Sequence, residues 1–297
     1  MRLTPRELHS TERPSSTAEA TTIARAAELH RPHGQRIITD DFAPLFLSTA
    51  GRAAVGVLRV GAPGFRALER TELAAPLTFS LCRHKFIDVH LASALDDGVD
   101  QVVILGAGYD SRAYRFATQL RGRPVHEVDL APLSRRKAAI VARHPEAFGG
   151  TAVRRVEINF RTDSLAERLL ESGFTVGART FVVWEGVSMY LDREAVEQTL
   201  ATLHDVVGKG SVIAIDFWHT VGSGQPIDRA RRAITRAFTL IGEPLTFSIA
   251  PDSVGKLLSS HGFSIDDLAD ADELTARYST GNRPCERSTY VVAARRR

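Results

Sequence analysis

The chain has 297 residues, 43% of them hydrophobic, and a formal net charge of +3 at neutral pH. This length and apolar content can bury a large core, in one elaborated domain or in a core with an appended cap. The small net charge gives no reason to expect nucleic-acid binding, and the longest apolar stretches are strand-sized, far short of the ~20 residues that cross a membrane.

The N-terminal segment, residues 1–17, reads MRLTPRELHSTERPSST. It has charges and hydroxyls but no apolar stretch typical of a secretory signal, so we predict a flexible arm. Cys82 and Cys285 are too few for a disulfide framework or for a zinc site built from cysteine alone. These features together predict a cytoplasmic location.

Residues 18–97 show helical patterns without the rhythm of strands. Three segments carry these patterns: TAEATTIARAAELH, GRAAVGVLRVGAPGFRALERTELA and FIDVHLASALDDG. Open α/β sheets bind ligands outside the carboxyl ends of their strands, so we expect these helices to form a cap over that edge.

Residues 98–297 alternate short apolar runs with helical patterns. The predicted strands are 101–105, 124–129, 152–158, 180–185 and 211–217, and the predicted helices lie near 111–121, 132–143, 163–172, 193–207 and 252–261. This alternation predicts a doubly wound α/β core, with a parallel sheet and helices on both faces. Segments 262–268 and 288–296 suggest two further strands and an antiparallel end. An insert at about 218–250 is expected on the substrate side.

A glycine turn follows the first predicted strand, at Gly106, Ala107 and Gly108. Such a turn lets the backbone approach a ligand, and the following helix offers unpaired N–H groups. A dinucleotide fingerprint would place its third glycine at Ser111. Asp110, near the helix start, would repel a pyrophosphate. The pattern therefore favours a ligand without phosphate.

The second predicted strand ends in two acids, Glu127 and Asp129, about twenty residues further on. An acid at this place in the fold can accept hydrogen bonds from both ribose hydroxyls. The alternative is that Asp129 caps the helix that opens at Pro132. Glycine turn and acid together favour an adenosine-containing ligand.

Five blocks of sequence resemble the leucine carboxyl methyltransferase family. They are LCRHKFIDVH, VVILGAGYDSRAYRF, EVDLAPLSRRKAAIV, INFRTDSLAERLLESGF and TFVVWEGVSMYLDREAVEQTL. The resemblance spans residues 18–296 in order. It is strongest to a bacterial branch that includes O-methyltransferases of polyketide biosynthesis.

The resemblance implies a class I S-adenosylmethionine-dependent fold, Rossmann-like, with an N-terminal helical cap. By analogy, Arg83 would bind the methionine carboxylate and Asp129 the ribose. Gly106, Ala107 and Gly108 would lie against the methionine part. Further implied contacts are Asn159 and Phe160 beside the adenine and Glu185 near the ammonium group. A guanidinium suits a carboxylate, and a carboxylate suits an ammonium.

One position departs from the family pattern. Eukaryotic members have an aspartate where this chain has Asn159. Asparagine keeps an acceptor oxygen and adds a donor, so cofactor binding should survive. The family's N-terminal basic residue corresponds only loosely to Arg25.

The resemblance implies in-line methyl transfer to oxygen. A carboxylate acceptor is ionised at neutral pH and needs no base, whereas a phenol, with a pKa near ~10, benefits from one. The candidate catalytic residues are His84, His90, Tyr190 and His219, with His126 also considered. Each histidine has a structural alternative, and Tyr190 could instead pack against the helix near Arg193. Metal-ligand spacings are absent from the sequence, so no metal is predicted.

The favoured acceptor is a small, polyketide-like secondary metabolite. A protein C-terminus is the alternative acceptor. An NAD-dependent oxidoreductase and a non-catalytic adenosyl-binding protein are the rival functions. Neither a nucleic-acid nor a membrane partner is expected, and the sequence does not predict the oligomeric state.

Overall fold

A computed structural model describes residues 16–160, 162–219 and 245–297. Residues 1–15 of the predicted arm lie outside this part of the chain, and its last two residues begin the first helix. Residues 220–244 of the predicted insert also lie outside it. No helix of the described residues is both long and apolar enough to span a membrane.

Within the described residues, seven strands form one sheet in the order β3-β2-β1-β4-β5-β7-β6. They are β1 Gln101–Leu105, β2 Val125–Asp129, β3 Val153–Glu157, β4 Thr180–Trp184, β5 Val212–Trp218, β6 Phe263–Asp270 and β7 Thr289–Arg296. Strands β1 to β5 run parallel, and β7 pairs antiparallel with both β5 and β6. The predicted doubly wound fold, including its antiparallel end, is confirmed.

Helices cover both faces of this sheet. They are α1 Ser16–Glu28, α2 Ala43–Phe46, α3 Thr49–Val60, α4 Ala62–Leu68, α5 Ala75–Asp96, α6 Arg112–Arg115, α7 Ala117–Leu120, α8 Ala131–Arg143, α9 Pro145–Phe148, α10 Leu165–Glu171, α11 Arg193–Val206, α12 Pro251–Ser260 and α13 Ala271–Tyr278. The single helix predicted near 111–121 is instead two short ones joined at Phe116, whose ring this break turns into the core.

Alternating strand residues feed two separate cores. Val102 and Ile104 of β1 join one apolar cluster, and Val103 and Leu105 join the other. The first cluster includes the apolar residues of α5, which is buried along most of its length. Helix α5 therefore packs directly on the sheet, and the predicted boundary between a cap ending at residue 97 and a core remains a proposal.

The strand order reverses between β1 and β4, where successive crossovers lead to opposite sides of the sheet. In open α/β sheets this switch point creates a crevice at the carboxyl ends of the strands. The segments that follow β1 and β4, residues 106–111 and 185–190, both begin there. The candidate site is built on these two segments and on the end of β2.

Candidate functional site

Gly106 and Gly108 shape the turn after β1. Both have positive φ, +62° and +42°, a region that L side chains rarely adopt. A Cβ added at Gly106 would overlap Cγ2 of Val187, in the segment after β4. Glycine is therefore required at 106 by the close approach of two protein segments as well as by backbone conformation.

Three side chains hold the glycine turn from outside. Asp129 Oδ2 accepts from the amide of Gly108 over 2.6 Å, and Lys137 donates to the carbonyl of Asp110 over 2.6 Å. Arg25 of α1 donates to the carbonyl of Tyr109 over 2.7 Å. The turn is thus anchored to β2, to α8 and to the N-terminal helix.

Asp129 stands at the end of β2, where the sequence places an acid for a ribose. Its other oxygen accepts from the amide of Leu130 over 2.7 Å. The N-cap of α8 is Leu130, so Asp129 does not cap that helix as the alternative supposed. Burial raises the pKa of Asp129. One hydrogen bond to each oxygen leaves lone pairs for further donors.

The side chains of Glu127 and Ser111 bind other side chains of the protein. Lys137 binds Glu127 over 2.8 Å, and both are buried. Ser111, where a dinucleotide fingerprint would have glycine, donates to Asp40 over 2.7 Å and accepts from Arg115 over 3.0 Å. The serine therefore ties the start of α6 to the residues before α2.

Arg83 of α5 lies between two carboxylates. Its Nε donates to Glu185 over 3.0 Å, and its Nη1 donates to Asp216 over 2.6 Å. Burial opposes the charged form, but these acids hold the pKa of Arg83 above its usual value. Nη2 has no hydrogen-bond partner among the described residues, so it can still donate.

His84 has partners for both ring nitrogens. Nδ1 lies 3.0 Å from a Glu185 oxygen, and Nε2 lies 2.8 Å from Nη2 of Arg115. A guanidinium can only donate, so Nε2 accepts and the proton is assigned to Nδ1. Burial and the charge of Arg112 lower the pKa of His84. Neutral and held on both sides, this candidate is better suited to orienting Glu185 than to removing a proton from an acceptor.

Arg112 contacts three carboxylates close to the glycine turn. It binds Asp110, reaches Asp88 over 2.8 Å and lies 2.8 Å from Glu185. Burial raises the pKa of Glu185, but His84, Arg112 and Arg83 outweigh it and hold that pKa well below its usual value. Glu185 is therefore ionised at neutral pH.

His84, Asp110 and Glu185 bring three ligand atoms within 4.8 Å of one another. This grouping could hold a metal ion by distance alone. However, Arg112 contacts both carboxylates, so a cation already stands at this place. The absence of a metal therefore stays a prediction.

Asn159 and Phe160 follow the end of β3. Asn159 is exposed and its backbone N–H donates to Asp163 over 3.0 Å, whereas Phe160 packs partly against the second apolar cluster. They lie two strands from β1 in the sheet. This position agrees with the predicted place for an adenine, and the contact itself remains a proposal.

The other histidine candidates are spread over the fold. His90 contacts Asp267 of the edge strand β6 over 3.1 Å, and His126 is buried in β2 with Ser172 at 2.7 Å. His219 directly follows β5 and lies 3.1 Å from the carbonyl of Arg287. Of these three, only His219 lies at the carboxyl edge. Tyr190, half-buried, ends the 3₁₀ turn Ser188–Tyr190 after β4, near the same edge.

The sequence reading missed Asp216 and Arg112 as members of the site. Asp216 is a lone acid inside the apolar strand IAIDFW, and that pattern could have revealed it, because a buried carboxylate needs a partner. Arg112 had no such signal, since it stands among other arginines at a helix start.

Comparisons with known proteins show which family and which fold this chain resembles. A family model described as leucine carboxyl methyltransferase matches residues 18–204. A relative from Mycobacterium bovis (strain BCG / Pasteur 1173P2), described as a candidate S-adenosyl-L-methionine-dependent methyltransferase, is 29% identical over 274 residues, 89% of this chain and 84% of the relative. A relative from Mycolicibacterium paratuberculosis with the same description is 31% identical over 202 residues, 68% of this chain and 65% of the relative.

Two solved structures show the same fold at low sequence identity. A candidate methyltransferase from Thermobifida fusca YX has a TM-score of 0.61 and 13% identity, with all of both chains covered. A DUF574 family protein from Streptomyces avermitilis MA-4680 has a TM-score of 0.60 and 12% identity, covering 92% of this chain and 97% of that one. With the family model matching well over half of its length, the chain belongs to the leucine carboxyl methyltransferase family.

Proposed function

We propose that this protein transfers a methyl group from S-adenosylmethionine to an oxygen atom of a small secondary metabolite of polyketide type. The acceptor oxygen belongs to a carboxyl or a phenolic hydroxyl group. One observation carries the proposal: three buried or nearly buried charged side chains lie around the switch point. Asp129 ends β2, Glu185 directly follows β4, and Arg83 of α5 binds Glu185 over 3.0 Å.

The residues at the end of β2 fit the adenosine half of this cofactor. A ribose has two adjacent hydroxyl donors, and Asp129 has acceptor capacity left on both oxygens. Asn159 and Phe160 would flank the adenine. Gly108, whose amide Asp129 holds, keeps the turn close to the sugar.

The residues at the ends of β1 and β4 fit the methionine half. The carboxylate of the cofactor would bind the Nη2 side of Arg83, and its ammonium would bind Glu185. Gly106 and Ala107 would lie against the methionine chain, since the turn that they form begins at the carboxyl end of β1. A cation and an anion held side by side suit a zwitterion.

The bound cofactor supplies an electrophilic methyl group, and the protein supplies alignment. An ionised carboxylate acceptor needs only to be held in line with the methyl carbon. A phenol gains from a base, and His219 at the end of β5 is the described histidine best placed to be one. His84 instead holds Glu185.

Resemblance to the bacterial branch favours a small acceptor over a protein C-terminus. Aromatic side chains near the ends of β4 and β5 support the same choice, since planar apolar ligands pack on them. They are Tyr190, Trp218 and Phe247, with His219 beside them.

The test is an assay with purified protein and S-adenosylmethionine, read by product mass spectrometry. The acceptors are a panel of aromatic carboxylic acids and phenols and, separately, a peptide ending in leucine. We expect a mass gain of one CH₂ on a small acid or phenol. A methyl ester formed from an acid would be cleaved by mild base, whereas a methyl ether formed from a phenol would be stable. Methylation of the peptide alone would overturn the small-molecule proposal. Binding of NAD in place of S-adenosylmethionine, measured by calorimetry, would overturn methyl transfer itself.

A further inference from the structure

Asp216 is a fully buried carboxylate inside the apolar strand β5. Its neighbours Ile215 and Phe217 point into the second apolar cluster, so Asp216 faces the opposite side of the sheet, toward α5. An unpaired charge here would be strongly destabilising. The charge of Asp216 therefore requires hydrogen-bond partners inside the protein.

Those partners belong to two other segments of the site. Oδ2 accepts from Nη1 of Arg83 over 2.6 Å, and Oδ1 accepts from the amide of Gly186 over 2.6 Å. Gly186 has a φ of +71°, and a Cβ there would lie 3.3 Å from Nη2 of Arg83. One carboxylate thus fixes both the arginine of α5 and the turn that follows Glu185.

Arg83 would be free to choose among rotamers if Glu185 alone held it. Two anions on different edges of the guanidinium remove that freedom before a ligand arrives. With Nε and Nη1 occupied, Nη2 is the edge that stays open. Orientation in advance lowers the entropic cost of binding.

We propose that Asp216 is a positioning residue that turns the open edge of Arg83 toward the methionine carboxylate of S-adenosylmethionine. The inference rests on the proposed function, which places the methionine half at Arg83. It predicts that loss of the Asp216 charge affects the methionine half of the pocket and spares the adenosine half.

The experiment compares two ligands in wild type and in Asp216→Asn by calorimetry. S-adenosylhomocysteine has both halves, whereas 5′-methylthioadenosine lacks the amino-acid end. In Asp216→Asn, Oδ1 can still accept from Gly186, but the new amide cannot accept from Arg83. We expect the Kd of S-adenosylhomocysteine to rise about tenfold or more, and that of 5′-methylthioadenosine to change less than about threefold.

Asp96→Asn, an exposed change at the end of α5, is the matched control and should alter neither constant. In an Arg83→Lys background, Asp216→Asn should add little further loss, because the two residues act through one contact. If the amide variant fails to fold, Asp216→Glu tests the same contact with the charge retained but displaced. Its expected result is the same selective loss, smaller in size.

Equal loss for both ligands, or unchanged affinity for both in a folded variant, would overturn the inference. Full additivity with Arg83→Lys would do the same. Failure of the wild type to bind S-adenosylhomocysteine would instead overturn the proposed function. The two failures are therefore distinguishable.

Discussion

Gly108 donates its amide hydrogen to Oδ2 of Asp129 over 2.6 Å, although Gly108 lies in the turn after β1 and Asp129 ends β2. The acid that the sequence assigns to a ribose is therefore also the brace of the glycine turn. The proposed ribose contact and the shape of the turn would depend on the same carboxylate.

Asp129→Ala removes this brace and two charge-assisted acceptors. We expect S-adenosylhomocysteine binding to weaken by about 2–4 kcal/mol. The Kd of 5′-methylthioadenosine should rise by a similar factor, because the ribose is common to both. Calorimetry gives both constants, with Asp96→Ala as the control. A folded Asp129→Ala protein with unchanged affinity would remove Asp129 from the ribose site.

Arg83→Lys keeps the positive charge but cannot reach Glu185 and Asp216 from two edges at once. We expect the Kd of S-adenosylhomocysteine to rise at least tenfold. Arg295→Lys is the matched control, since Arg295 binds Asp266 over 2.8 Å at the opposite end of the sheet. Equal affinity of wild type and Arg83→Lys would make Arg83 a structural residue only.

Gly106→Ala should destabilise the fold more than a glycine-to-alanine change whose cost comes only from the positive φ of the backbone. Gly98 has a φ of +80° and open space around it, so Gly98→Ala isolates the conformational cost of about 1–2 kcal/mol. Gly106→Ala adds an overlap with Val187. Urea unfolding should show the larger loss, and Val187→Ala should restore part of it. Equal losses for the two alanine variants would contradict the close approach.

Stability should fall on acidification because of His126. Burial and the charge of Arg154 lower the pKa of His126 to about 4 in the folded protein, against ~6.5 in an unfolded chain. Between these values the unfolded state binds the additional proton. The contribution is therefore fully present above about pH 6.5 and is lost as the pH falls toward 4.

His126→Gln should make the free energy of unfolding less sensitive to pH between 6.5 and 4.5, by about 1–2 kcal/mol. Glutamine keeps an N–H donor for Ser172, which itself donates to Leu169. Urea titrations at both pH values measure the difference. An unchanged slope in His126→Gln would refute the assignment.

The pH dependence of turnover separates the two acceptor types. A carboxylate acceptor predicts a nearly flat rate from about pH 6 to 8 and less than about tenfold loss in His219→Ala. An assisted phenol predicts a rising rate and a larger loss. His90→Ala, far from the carboxyl edge, is the control. A hundredfold loss in His219→Ala with unchanged cofactor affinity would exclude the base-free reaction.

The strands and their order of connection follow from local pattern, which is why the sequence predicted them. An apolar run such as Gln101–Leu105 is typical of a strand that is covered on both faces of the sheet, as strands inside a parallel sheet are. The end of each run also shows where a functional side chain must stand. Asp129 and Glu185 were found in this way.

Contacts between distant segments were not predictable from one sequence. Arg83 and Asp216 are 133 residues apart, and the sequence around either residue does not indicate which residue it pairs with. His84 resembled a free base because its two partners, Glu185 and Arg115, come from other elements. The ion pairs that orient the site therefore appear only when the sheet brings these elements together.

A crystal structure of the protein with S-adenosylhomocysteine tests the account most directly. We predict both ribose hydroxyls within hydrogen-bond distance of Asp129, and the carboxylate of the ligand on Nη2 of Arg83, with Asp216 still on Nη1. A ligand whose ribose lies away from the end of β2, or whose carboxylate lies away from Arg83, would contradict it.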